Sequence, residues 1–369
     1  MQRLYRFAAK SHICLVQAKN LLPNLYENEI KKNFLCSERR TVTMADGNKE
    51  IMQDLEKTMD QVEKEKGGRV HAGRLAQVKI YYGKLLRMFV FDKQWKMIVF
   101  STIISALVAK VSGYRMFLNM EYTKTGALAI ACVCLWNGIF NSVQVVCRER
   151  PIIKREHRTG MHISAYLSAH ILYQAILCLV QSTIMLLVFH LFGMKYPDQG
   201  LILKSFPLEL LITLFLITLA ADMLGLAISC IVHDSTTAMT VMPLVLIFQL
   251  VFAGVAFPLG NLSAKISNAT ISKWGVYAVC TEANYNSLPS DTATLLLNKM
   301  RADNEVLDQA LDAIPIDDIR YYMAKYMADK NYDYNKNNLY KEWGILLAYA
   351  VGFALVALIA LEFVDKDKR

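Results

Sequence analysis

Of 369 residues, 54% are hydrophobic and 20% charged, and the mean hydropathy of +0.26 is high for a soluble domain. The apolar residues fall in blocks of about 20, the length that crosses a hydrocarbon layer, which excludes a soluble enzyme, a disordered chain and a secreted disulfide scaffold. The net charge of +9 collects at block edges: residues 1–96 hold 19 Lys/Arg against 11 Asp/Glu, and residues 260–343 hold 9 against 11, a pattern that fits membrane topology rather than nucleic acid.

The chain begins with Arg3, Arg6 and Lys10 and has no acid before Glu27. The apolar stretch from Ile13 to Val16 is too short for a signal-peptide core, so this segment reads as basic and surface-lying, or as the tail of a longer ancestral chain. Met52, Leu55, Met59 and Val62 then repeat at spacings of three and four, which predicts an amphipathic helix over 48–66. It is either a solvated linker or a docking helix. Residues 1–75 are expected to be a cytoplasmic linker region.

Residues 76–92 form a second amphipathic pattern. Val78, Tyr82, Leu85, Leu86 and Phe89 share one face, and Lys79, Gly83, Lys84 and Arg87 the other. An apolar face opposed by basic residues lies in the membrane interface, and this one runs into the first span as an elbow.

Six transmembrane helices are predicted, at about 95–113, 126–146, 163–192, 207–232, 240–257 (with Pro243 inside) and 344–363, giving an all-α polytopic fold. Lys79, Lys84, Arg87, Lys93 and Lys96 precede the first span; Arg148, Arg150, Lys154, Arg155 and Arg158 join the second to the third. The positive-inside rule puts both sets in the cytoplasm, along with the N-terminus and the tail 364–369. Residues 260–343 then form an extracytoplasmic loop. Ser290 caps a helix running past Leu295 toward Leu311, and Ile319, Tyr322, Met323 and Tyr326 suggest another. The Tyr/Asn-rich stretch 331–340 reads as a turn above the last span. Asn261 and Asn268 head sequons on that side.

The eight cysteines show no disulfide framework. Cys132, Cys134, Cys178 and Cys230 read as small buried hydrophobes, Cys147 lies at an inner span end, Cys14 and Cys36 fall in the basic region, and Cys280 is placed in the outer loop without a partner. No phosphate-binding Gly-rich loop or catalytic motif occurs, so the chain is expected not to be an enzyme and to bind no cofactor or metal. His170 and His190 read as packing or pore lining rather than metal ligands; His233-Asp234 is too meagre for a catalytic set.

Polar residues inside spans are costly and therefore informative. Asn137, Asn141 and Gln144 share one face of the second span, where they either bond between helices or line a path; Phe248 and Gln249 lie on the fifth. Asp222 is read as the only acid well inside a span, paired with a base or at an aqueous edge, with a proton relay as the further option. The densest polar feature is 147–160, where Arg148, Glu149, Arg150, Arg155, Glu156 and Arg158 surround Pro151. It is either a positive-inside anchor or a rigid helix that receives force from a soluble partner.

The stretch 148–172 resembles the segment after the second span in type-2 ABC exporters of the G subfamily, with Glu149, Arg150, Arg155, Glu156, Gly160 and Tyr166 matching the Arg/Glu-rich helix, the glycine and the aromatic start of span three. Residues 221–258 resemble the family's fourth and fifth spans, with Phe252, Gly254 and Pro258 at the end. The resemblance covers about 76–363. It implies a permease domain working as a homo- or heterodimer in the cell membrane, with Arg148, Glu149, Arg150, Arg155, Glu156 and Arg158 coupling it to an ATPase. It also implies a translocation path along Asn137, Asn141, Gln144, Phe248 and Gln249. Only about 75 residues precede the elbow, too few for the family's ATPase domain, so ATP is expected on a partner ATPase subunit or domain. The outer loop before the last span is longer than the family's usual one. The alternative is a stand-alone ion-driven carrier, for which no internal repeat is visible, or a membrane scaffold.

Overall fold

The computed structural model describes residues 73–113, 116–257, 260–289, 292 and 328–363. The expected helix over 48–66, the helices around Leu295–Leu311 and Ile319–Tyr326, Cys14, Cys36, Pro258 and the tail 364–369 lie outside the described residues. Among the described residues every regular element is helical.

The first helix, α1 (Arg74–Phe91), ends at Asp92, and a short turn leads into α2 (Lys96–Ser112). The two helices are bent by 68°. Next come α3 (Met120–Ser142) and α4 (Val145–Arg158), which share one long helical run broken only at Val143 and Gln144. Gly160, at φ 107°, turns the chain back into α5 (Ile163–Leu191). A side chain is disfavoured in that backbone region, and glycine alone adopts it freely. The amides of Gly160 and Met161 close the end of α4 onto the carbonyls of His157 and Glu156. Helix α6 (Phe206–Ile231) begins with Pro207 in its first turn, where its missing N–H costs nothing. Then follow α7 (Ser235–Val251), with Pro243 inside it, α8 (Asn261–Ser267) and α9 (Ile271–Glu282). After a single 3-10 turn (Lys330–Tyr332), the last described helix is α10 (Lys336–Glu362).

The hydrophobic core is built on α6, which packs against α3, α5, α9 and α10. Leu210, Leu214, Ile217, Ala220, Ala221, Leu226 and Cys230 of α6 have no solvent exposure. It approaches α3 closely. A methyl group on Gly138 would lie 2.7 Å from the Ala221 Cβ and the Asp222 nitrogen, and closer still to the Thr218 carbonyl. One on Gly225 would lie 2.9 Å from the Ile139 carbonyl. These paired glycines let two backbones approach to a distance that any larger residue forbids, the small-residue packing that holds helices together in lipid.

The outward faces are apolar as well. Leu172, Ile176, Leu179 and Leu187 on α5, and Leu347, Val351, Leu355 and Ile359 on α10, are exposed. Such long apolar faces are incompatible with water and match a hydrocarbon surround. Four helical runs, Met120–Arg158, Ile163–Leu191, Phe206–Ile231 and Lys336–Glu362, are long and apolar enough to cross a membrane, and the bent pair α1–α2 can form a fifth crossing. The chain is thus a multi-pass membrane protein, helical throughout the described residues. Helices α2 and α7 have 17 residues each, about 25 Å at 1.5 Å per residue, short of the roughly 30 Å hydrocarbon core.

Several boundaries differ from the sequence reading. The final helix starts at Lys336, not near residue 344, because Asn335 accepts the Asn337 amide and caps it. Residues 271–282, assigned to the outer loop, form α9, which is buried against α3, α6 and α10. Cys280 accordingly has no exposure and belongs to the core.

Candidate functional site

The charged helix α4 divides its charges by face. Glu149 and Glu156 turn toward α1. Lys84 Nζ and Glu149 Oε2 form an ion pair at 3.3 Å, and the Tyr166 hydroxyl donates to the same oxygen at 3.1 Å. One turn of α1 earlier, the Tyr81 hydroxyl donates to Glu156 Oε2 at 2.9 Å. Burial, and then the Glu156 carboxylate, push the Tyr81 phenol well above its ordinary pKa, so it remains a donor. Earlier still, Gln77 Nε2 donates to the Gly160 carbonyl at 3.2 Å, and its Oε1 accepts the His162 amide at 2.9 Å. Gln77, Tyr81 and Lys84 stand at i, i+4 and i+7, so one stripe of α1 grips α4 and the turn beyond it.

The opposite side of α4 is anchored to α6. Arg150 Nη2 donates to the Cys230 carbonyl at 2.6 Å, where the last turn of α6 leaves carbonyls without helical partners. Ser229 Oγ accepts the amides of Val146 and Cys147 at 3.0 and 3.2 Å. Those amides are first-turn orphans of α4, so a serine from another helix caps it; Gln144, at the cap position, makes no such bond.

Of the six residues expected to couple, Glu149 and Arg150 are buried, Glu156 is half-buried, and Arg148, Arg155 and Arg158 are exposed. The three exposed arginines line a 730 Å³ groove between α4 and the turn from α6 to α7, with Lys154, His233 and Asp234. Lys84, which the sequence places on the basic face of α1, reaches across to Glu149.

The expected path residues separate. Asn141 and Gln181 exchange amide hydrogen bonds at 2.8 and 3.1 Å, joining α3 to α5 while buried. Gln174 Nε2 donates to the Asn141 carbonyl. Asn137 is buried and lines a 320 Å³ cavity with Asn141, and Gln144 lines a neighbouring one of 450 Å³. Gln249 is buried: its Oε1 accepts the Ser272 amide at 3.2 Å, and Ser272 Oγ donates to its carbonyl. It thereby ties α7 to the start of α9. Phe248 is exposed and its ring lies 4.8 Å from that of Phe252. Gln249 and Phe248 therefore point in different directions.

Asp222 is wholly buried, and its carboxylate accepts a hydrogen bond from the Cys178 thiol at 3.1 Å, a partner that is neither a base nor an aqueous edge. It is also not the only buried acid. Glu209, Glu282 and Glu342 are at most 1% exposed. Glu209 Oε2 accepts the amides of Ile202 and Leu203, Thr213 donates to Glu282 while accepting Trp343 Nε1–H, and Thr281 donates to Glu342. Among the described residues no group of three or more His, Cys, Asp or Glu side chains is placed to hold a metal ion.

Sequence reasoning missed Gln77, Tyr81, Ser229, Gln181 and Cys178. The polar stripe on α1 was detectable by its spacing. The others were not, because serine, glutamine and cysteine inside apolar helices carry no local mark of their partner.

A family model described as ABC-2 type transporter matches residues 78–281, and one described as CDR ABC transporter matches residues 324–369. Over 144 residues, 38% of the chain, the sequence is 35% identical to the ABC transporter ATP-binding/permease protein Rv1747 of Mycobacterium tuberculosis (strain ATCC 25618 / H37Rv). The match spans 16% of that relative's length.

Proposed function

The chain belongs to the ABC-2 type transporter family, and from that premise we propose that it is the translocating membrane half of an ATP-driven, G-subfamily-like exporter. It pairs with a second permease half, the same chain or a related one, and ATP is bound and hydrolysed by an ATPase subunit or domain rather than by the residues described here. In this reading α2, α3, α5, α6, α7 and α10 are the six crossings, α1 is the interfacial elbow, and the basic ends place α4 and both termini in the cytoplasm.

One observation carries the coupling role. Helix α4 is fastened on both sides, to α1 through Glu149 and Glu156 and to α6 through Arg150 and Ser229. A helix held at both flanks moves its neighbours when it moves. A push delivered to its exposed side, where Arg148, Arg155 and Arg158 border the groove, therefore reaches the elbow and the central helix together. The partner surface is acidic, to meet those arginines.

The test is co-purification of the full chain with its ATPase, followed by ATP-dependent transport in vesicles. Reversal of Arg155 and Arg158 to Glu is expected to weaken the ATPase contact at least tenfold. Glu149→Gln is expected to leave the contact and impair transport. A chain that moves solute without ATP, or an ATPase contact indifferent to the arginine reversal, overturns the reading.

A further inference from the structure

Two cavities adjoin where the first five helices meet. One, of 450 Å³, lies among α1, α2, α3, α4 and α5. The other, of 320 Å³, lies between α2, α3 and α5. Both count Met97, Phe140 and Asn141 among their walls, so they are neighbouring arms that share one side, each within the size range of small-molecule sites.

The arms differ in chemistry. The smaller is walled by Phe100, Ile104, Trp136 and Phe140, and Phe100 and Trp136 reach the outer surface of the bundle. The larger contains His170 and Gln174, one turn apart on α5 and each 1% exposed. Both ring nitrogens of His170 and Oε1 of Gln174 have no hydrogen-bond partner among the described residues. The His170 ring is held against Tyr166 with centroids 4.5 Å apart, and the Gln174 amide nitrogen is already committed to Asn141. Orphaned buried polar atoms are costly and rare in a folded chain, and here both residues that carry them border the same space.

We propose that these neighbouring arms together bind a single-tailed amphiphile with an uncharged, hydroxyl-bearing head. The tail lies in the arm between α2 and α3. The head hydroxyls, which both donate and accept, satisfy Gln174 Oε1 and the donor and acceptor of a neutral imidazole. Arg148 and Glu149 both border the polar arm, and Glu149 is already paired with Lys84. The ligand sits under the elbow, beside the Lys84–Glu149 pair. The inference rests on the cavity and not on the ATPase, and its test involves no nucleotide.

The experiment uses the purified full chain in nanodiscs and a 16-carbon monoacylglycerol with a photoactivatable diazirine in mid-chain, with the methyl ester of the same acid as control. The monoacylglycerol is expected to label peptides of α2, α3 and α5 at least tenfold more strongly than the ester does, and more strongly than it labels the lipid-facing side of α10. His170→Leu and Gln174→Leu are each expected to reduce that labelling several-fold, and His170→Gln to retain it. Should either Leu variant fail to fold, Ile104→Trp, which fills the apolar arm and leaves the polar end intact, is expected to abolish the labelling on its own. Equal labelling by the two probes, labelling unchanged in Ile104→Trp, or labelling no stronger than on α10 overturns the proposal.

Discussion

Lys84 and Glu149, 65 residues apart in the chain, meet at 3.3 Å and fix the elbow helix to the charged helix. The carboxylate is largely shielded, while the lysine side chain is 36% exposed. The pair is therefore screened on one side, and its energy belongs with partly exposed ion pairs, about 1 kcal/mol. Its importance is geometric: with Tyr81 and Gln77 it makes α1 and α4 one mechanical unit.

A double-mutant cycle measures that link. Lys84→Ala and Glu149→Gln are each expected to lower the melting temperature by a few degrees in detergent, with a coupling energy of about 0.5–1 kcal/mol. Glu149→Ala is expected to cost more than Glu149→Gln, since it also removes the acceptor of the Tyr166 hydroxyl. Additive single effects would place the two side chains out of contact.

Tyr81 gives a pH signature. Its folded pKa is raised above the ordinary value near 10, by burial and then by Glu156. A raised pKa contributes stability that is fully present below about pH 10 and is lost as pH climbs toward the folded value. The stability difference between wild type and Tyr81→Phe is therefore expected to be constant from pH 6 to 9 and to shrink above pH 10. Melting curves across that range check it; a difference that grows with alkali contradicts it.

The α3–α6 contact leaves no room for a side chain at Gly138. Gly138→Ala is expected to destabilise the bundle by about 1–3 kcal/mol through overpacking, and Gly138→Leu to abolish folded protein. Gly83, with nothing within 4 Å of an added methyl group, is expected to accept alanine with no loss. Expression and size-exclusion profiles of the variants separate the two positions.

The Asn141–Gln181 pair distinguishes a structural role from a path role. Asn141→Leu strands the Gln181 amide and is expected to cost about 1 kcal/mol or somewhat more. The double change Asn141→Leu/Gln181→Leu removes both polar groups and is expected to recover most of that loss. If transport falls in the double variant while stability returns, the amides also contact cargo.

Cys280 tests the insertion of α9. It has no exposure, so a chain keeping only this cysteine is expected to resist a membrane-permeant maleimide until denatured. Rapid labelling of the folded protein would return residues 271–282 to an exposed loop.

Much of the helical framework was legible in the sequence. Runs of apolar residues must become helices in lipid, because every backbone N–H and C=O there needs an internal partner. Hence 163–192 and 207–232 were placed to within a residue or two of α5 and α6. Boundaries failed where a polar cap rather than hydropathy set the end, as at Asn335. The candidate site was half legible. The charges of α4 were evident, but not their division into an acidic side toward α1 and a basic side toward the groove. The outer loop reading missed α9, whose mixed composition carries no span signal, although neighbouring helices bury it.

By itself the sequence determined a helical membrane protein with a concentrated charged segment after its second apolar block, because hydropathy and charge are properties of each residue where it stands. Only the tertiary structure decided that Arg150 would meet the end of α6, that Asn141 would pair with Gln181, and that His170 and Gln174 would border one cavity. In these helices the lipid-facing and core-facing sides are both apolar, so periodicity does not say which face turns inward. That choice is made by close approach, at Gly138 and Gly225 above all, between segments about eighty residues apart.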